Sequence, residues 1–163
     1  MKRLLIVWHS MTGGAALMAA AAAQAARSGA EVQVRCQRAV DTSADDVLSA
    51  DGYVFVAPEN LASMSGLMKD FFDRVYYAAL DRINGRPYAV LVCAGSDGQG
   101  AARQVQRICT GLRLKEVAPP TIVITHAQTP ERILAPKDIA EHELARCSEI
   151  GAALAAGLAA GVF

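Results

Sequence analysis

Excess charge of either sign is missing from this 163-residue chain, in which sixteen lysines and arginines offset sixteen aspartates and glutamates. No basic surplus points to nucleic acid, and no block of like charge reads as a tail. Cysteine is sparse, at positions 36, 93, 109 and 147. No pair has C-x-x-C spacing and no adjacent histidines complete a zinc pattern, so no metal is expected. Cys36 and Cys93 sit in apolar, strand-like runs and read as small buried hydrophobes of a reducing, cytoplasmic compartment. Long apolar runs are missing as well. "LLIVW" after "MKR" superficially resembles a secretory signal, but it is short and His9, Ser10, Thr12, Gly13 and Gly14 interrupt it. Cleavage near Ala23 would also remove the first strand and helix of a plausible domain. The stretch "IGAALAAGLAAGVF" is 14 residues, too short to span a bilayer by itself, so no membrane partner is expected.

What the chain does hold is an alternation of strands and helices, over a length that suits one domain, 1–163. Strands are expected at Leu4 to Trp8, 31–36, 52–58 ("GYVFVAP"), 88–95 ("YAVLVCAG") and 121–125. Helices are expected at Ala15 to Ser28, stopped by a left-handed Gly29, and at 44–50, capped by Thr42 or Ser43. Others run from Ser65 or Gly66 to Leu80, from Ala101 to Leu112, and from Pro136 and Lys137 to Ala160. In the third helix Leu67, Met68, Phe71, Phe72, Val75 and Tyr76 recur at helical spacing and bury one side. Gly111 loosens the fourth helix's last turn. Central strands apolar throughout require helices on both faces, which gives an α/β, doubly wound parallel sheet. Ligands of such sheets bind beyond the carboxyl ends of the strands. Attention therefore falls on loops 10–15, 58–65 and 95–100.

In the first loop Ser10, Thr12, Gly13 and Gly14 are small and expose amides at a helix start, where a phosphate is favoured. No lysine or arginine lies there, so the phosphate would be bound by neutral donors. "SMTGGA" lacks the lysine of a Walker loop, and the G-x-G-x-x-G fingerprint is absent. Strand two ends "VRCQR", without an acid for a ribose. Alone, the loop also fits an ordinary capped turn. The second loop, "PENLASMSGLMKDFF", joins polar Asn60, Ser63 and Ser65 to apolar Leu61 and Met64, a mixture suited to a flat heterocycle.

Together "SMTGG", "PENLASMSGLMKDFFDR" and "CAGSDGQGA" resemble the flavodoxin-like superfamily, and within it the NAD(P)H-dependent FMN reductases and quinone reductases. The resemblance covers essentially the whole chain in element order. It implies a five-stranded sheet in order 2-1-3-4-5 and FMN as cofactor. It places Ser10, Met11, Thr12, Gly13, Gly14 and Ala15 around the flavin phosphate. Pro58, Glu59, Asn60, Leu61 and Ala62 run beside the ribityl chain and ring. Ala94, Gly95, Ser96, Asp97 and Gly98 lie at the pyrimidine edge. Electron-carrying flavodoxins often sandwich the ring between aromatics, and these loops have none. That absence and the neutral charge favour a reductase, which takes hydride from NAD(P)H as co-substrate and reduces a quinone, flavin or similar small acceptor. The alternative is a flavodoxin-type FMN electron-transfer protein without nicotinamide oxidation.

No catalytic side chain is expected, because a flavin carries the chemistry itself. Trp8 reads as a packed aromatic, while His9 and His126 are secondary candidates for phosphate and substrate contact. Asp97 reads as the brace of a glycine-rich turn. Lys69 with Asp73 and Asp70 with Arg74 form i,i+4 pairs on a solvated helix face. Tyr76 and Tyr77 are candidates for a homo-oligomer surface.

Overall fold

Leu4, Leu5, Ile6 and Val7 are each at most 1% exposed. The strand β1 (Lys2–Trp8) achieves this by lying parallel between β2 (Val32–Arg38) and β3 (Gly52–Asn60) in the computed structural model, which describes residues 1–29 and 31–163. On its other side β3 pairs in parallel with β5 (Pro87–Ala94), every residue of which is buried. Strands apolar on both faces must be covered on both. On one face α1 (Gly14–Gly29) and α6 (Glu141–Ala160) pack over Leu4, Ile6, Val54, Val56 and Leu91. On the other, α2 (Ala44–Ser49), α3 (Gly66–Ala79) and α4 (Gln99–Gly111) cover Leu5, Val7, Phe55, Val90 and Val92. α2 begins with a reciprocal capping box between Ser43 and Asp46, which satisfies two otherwise orphaned donors. No helix among the described residues is long and apolar enough to cross a membrane.

The sheet runs β2-β1-β3-β5 and ends in an edge strand of two pieces, β6 (Lys115–Glu116) and β7 (Thr121–Ile124), both parallel to β5. This is the expected 2-1-3-4-5 order with its fifth strand broken at Pro119 and Pro120, residues that cannot donate to a ladder. A short antiparallel strand, β4 (Ser63–Met64), folds back on the end of β3.

Four expectations are corrected. Pro58 does not end β3; it pairs opposite Cys93 and the strand continues to Asn60. β1 stops opposite Val56, so the bond a proline cannot donate has no strand there to receive it. Gly29 is the last helical residue of α1 and its φ is not positive. Gly111 does not loosen α4: a Cβ there would stand in the place of the Tyr76 hydroxyl, so the glycine lets Tyr76 cross to α4. Leu67, 44% exposed, lies off the buried stripe of α3, and Tyr76 is only half-buried.

A fifth correction bears on function. The last helix starts at Glu141, not at Pro136. Before it stands a separate short helix, α5 (Pro130–Leu134), with Thr129 as its cap and proline in its first turn. Ala135 is extended, as the residue before a proline is biased to be, and this ends α5. Residues 135–140 then run free of helix past the carboxyl end of the sheet.

Candidate functional site

A cavity of about 540 Å³ opens at the carboxyl ends of β1, β3 and β5. The connection from β1 leads to β2 on one side of it, and the next returns to β3 on its other side, so strand order reverses here, the point where ligands of such sheets bind. The cavity brings together Ser10, Met11, Thr12, Gly14 and Ala15, then Pro58, Glu59, Asn60, Leu61 and Ala62, then Ala94, Gly95 and Ser96. Gly13, Asp97 and Gly98 stand outside its lining. A fourth wall, absent from the sequence reading, comes from Thr125, Ala127, Ile133, Leu134 and Lys137.

The first loop is shaped by its own small residues. Ser10 Oγ accepts from the Gly13 amide at 3.0 Å, and Gly13 takes φ +102°. Gly14, where α1 begins, is glycine for a different reason: a Cβ there would lie 2.6 Å from Cys93 Sγ. Lys137 closes the loop from outside. Its amide donates to the Thr12 carbonyl at 2.9 Å, and its Nζ lies 3.2 Å from Thr12 Oγ1.

The second loop is a hairpin between β3 and β4. Leu61 and Ala62 have φ of 51° and 61°, the two left-handed positions that a two-residue type I′ hairpin demands and that Asn-Gly usually fills. Gln104 Oε1 supports the hairpin from behind, accepting from the Met64 amide at 2.8 Å and from Ser63 Oγ at 2.9 Å. Leu61 projects wholly into solvent at 101% exposure.

The third loop is braced by Glu59 rather than by Asp97. The Glu59 carboxylate accepts from the Gly98 amide at 2.9 Å and the Ala101 amide at 3.0 Å. It thereby satisfies orphan donors at the start of α4, where negative charge is favoured. Gly95 packs so closely on the 127 segment that a Cβ would sit 2.5 Å from the Ala127 carbonyl oxygen.

The histidines do not line the cavity. His9 Nδ1 lies 2.7 Å from Oγ of the buried Ser65, tying the end of β1 to the start of α3. Burial holds the His9 pKa below its ordinary value. His126 is exposed in a left-handed conformation, and His142 is exposed on α6. Among cavity-lining groups the Cys93 thiol is pushed up to about 11 by burial, against the opposing pull of the Lys137 ammonium. It stays protonated and unreactive at neutral pH. With Glu59 engaged by two amides and no aromatic in the lining, the walls offer hydrogen-bond donors and apolar surface.

These features suit a flavin mononucleotide: a small-residue turn at the start of a 16-residue helix, and a cavity within the usual size for small-molecule sites. Comparison with known proteins agrees. Residues 35–129 match the family described as NADPH-dependent FMN reductase. Over 107 residues the chain is 33% identical to a flavodoxin of Aquifex aeolicus (strain VF5), covering 64% of this chain and 56% of that one. Over 94 residues it is 31% identical to an NAD(P)H dehydrogenase (quinone) of Acidithiobacillus ferrooxidans (strain ATCC 53993 / BNL-5-31), covering 45% and 47%. The chain spans about half the length of these curated relatives. Oxidised flavodoxin 1 of Bacillus cereus shares the fold, with a TM-score of 0.77 at 19% identity over 96% of this chain and 99% of that one.

Proposed function

Since the chain belongs to the NADPH-dependent FMN reductase family, within the flavodoxin-like superfamily, we propose that it holds one FMN in the cavity and works as an electron-transfer protein of the flavodoxin type over 1–163. The observation that carries this reading is chemical. Among the described residues the walls hold no free carboxylate and no thiolate, because Glu59 is engaged by amides and Cys93 is held protonated. A bound flavin supplies the missing chemistry by accepting and donating electrons.

The protein's own part is to bind and orient. The amides at the start of α1, with Ser10 and Thr12, would hold the phosphate. The hairpin of Asn60, Leu61 and Ala62 would flank the ring system on one side, with Ala94 to Ser96 and Ala127 to Leu134 on others. The hydrogen bonds of Glu59, Gln104 and Lys137 hold the surrounding loops in shape, so that the groups facing the ligand would be positioned before it binds.

A second reading is the reduction of a quinone or flavin with NAD(P)H. The family match and the aromatic-free lining favour it, since a ring face left uncovered is accessible to a nicotinamide. The likeness to flavodoxins puts the carrier first, which reverses the order drawn from the sequence alone. One anaerobic experiment separates the two. Protein loaded with FMN is mixed with NADH or NADPH and its flavin absorbance followed. The carrier leaves the flavin oxidised over minutes but accepts electrons from dithionite. Rapid bleaching by a nicotinamide makes the protein a reductase, and failure to take up FMN at all defeats both readings.

A further inference from the structure

The first loop contains no lysine or arginine, yet an ammonium reaches it from 125 residues away in the sequence. Lys137 Nζ donates to Thr12 Oγ1 at 3.2 Å, to the Ile133 carbonyl at 2.7 Å and to the Ala135 carbonyl at 2.6 Å. All three acceptors are neutral. Among the described residues no carboxylate lies within 4.0 Å of this nitrogen. Some cations on exposed helix faces pair with carboxylates, as Lys69 does with Asp73, Arg74 with Asp70 and Arg146 with Glu143, and others such as Arg103 and Arg107 have no such partner among the described residues but stand in water. Lys137 is half-buried, it lines the cavity, and the thiol beside it stays neutral. A cation partly withdrawn from water without a counter-charge is unfavourable until an anion completes it.

We propose that Lys137 supplies the counter-charge for a phosphate at Thr12, and so makes this site select the phosphorylated flavin over riboflavin. The inference rests on the FMN reading. The carbonyls of Ile133 and Ala135 hold the ammonium in place, and the Lys137 amide on the Thr12 carbonyl fixes the stem beside the loop. Phosphate selectivity is thereby divided between two ends of the fold. The start of α1 gives neutral donors, and the segment between α5 and α6 gives the full charge.

The other role open to Lys137 is to cap the last carbonyls of α5. Capping alone would affect every ligand of the cavity equally, whereas a phosphate contact affects only the phosphorylated one. The test is the affinity of wild type, K137Q and K137R for FMN and for riboflavin, by quenching of flavin fluorescence. Wild type should prefer FMN. K137Q should lose about ten- to a hundredfold in FMN affinity, the range for a hydrogen bond to a charged group, with riboflavin affinity unchanged. K137R should restore most of the preference, and added salt should weaken FMN binding more in wild type than in K137Q. If K137Q does not fold, K137M, which keeps the stem beside Gly14, gives the same comparison. Equal loss for both flavins, or loss for neither, overturns the role of Lys137 while leaving FMN as the ligand. A wild type that binds neither flavin overturns the FMN reading and this inference with it.

Discussion

Gly13 and Gly14 are neighbours with unrelated reasons to be glycine. Gly13 holds φ +102° in open space, and Gly14 stands where a Cβ would meet the Cys93 sulfur at 2.6 Å. We expect Gly14→Ala to destabilise the fold by about 1–3 kcal/mol, the usual range for overpacking, and to weaken FMN binding by displacing the first turn of α1. Adding Cys93→Ala should recover most of that loss, because it removes the obstructing atom. Gly13→Ala is strained by its backbone, so Cys93→Ala should leave its cost unchanged. Urea denaturation of the three single and two double variants checks both halves. The sequence marked both glycines but could not separate them, since the partner of Gly14 lies on another strand. The same limit hid the carboxylate that braces the third loop: Asp97 was adjacent in sequence, whereas Glu59 was adjacent in space.

Between elements, the contact of His9 with Ser65 joins the end of β1 to the start of α3. Burial lowers the His9 pKa, so the folded state favours the neutral ring and the unfolded chain binds the proton more readily. The stabilisation is therefore complete above the unfolded value of about 6.5 and falls as pH drops through that value toward the lower folded one. A series of urea midpoints from pH 8 to pH 5 should decline in wild type, and His9→Asn should flatten the slope contributed by this residue. Much of the element pattern was legible because the central strands are apolar throughout and α3 carries a strong helical stripe. The edges were not. Pro58 looked like a strand end because the sequence does not show that β1 has already stopped beside it. Pro136 and Lys137 looked like the start of the last helix because proline suits a helix's first turn, and the sequence does not show that a five-residue helix ends just before them and that the last helix waits until Glu141.

At the scale of the whole molecule, FMN should stabilise the fold by mass action. At one hundred times its dissociation constant a ligand adds about 2.7 kcal/mol, which for a chain of this size raises the melting temperature by roughly 5–10 °C. Thermal melts with FMN and with adenosine monophosphate measure this, and an equal shift from both would show that the cavity recognises phosphate alone. The three loops that form most of the cavity were legible in the sequence, because each follows a recognisable strand. The fourth wall was not, since the segment from Thr125 to Lys137 meets the first loop through contacts between Lys137 and Thr12, residues 125 apart in the sequence.

The bond between Thr12 and Lys137 also orders events in time. Its two ends are separated by 125 residues, and contacts so remote along the chain are the slow ones to form. A ribosome that has delivered β1 and the first loop has made an anion turn but not a flavin site. The site becomes complete only after β7 has joined the sheet and the segment behind it has crossed back over the loop. On the FMN reading, uptake of a yellow cofactor would then be a late event in the protein's biogenesis, and its colour a visible sign that the fourth wall has reached the first loop.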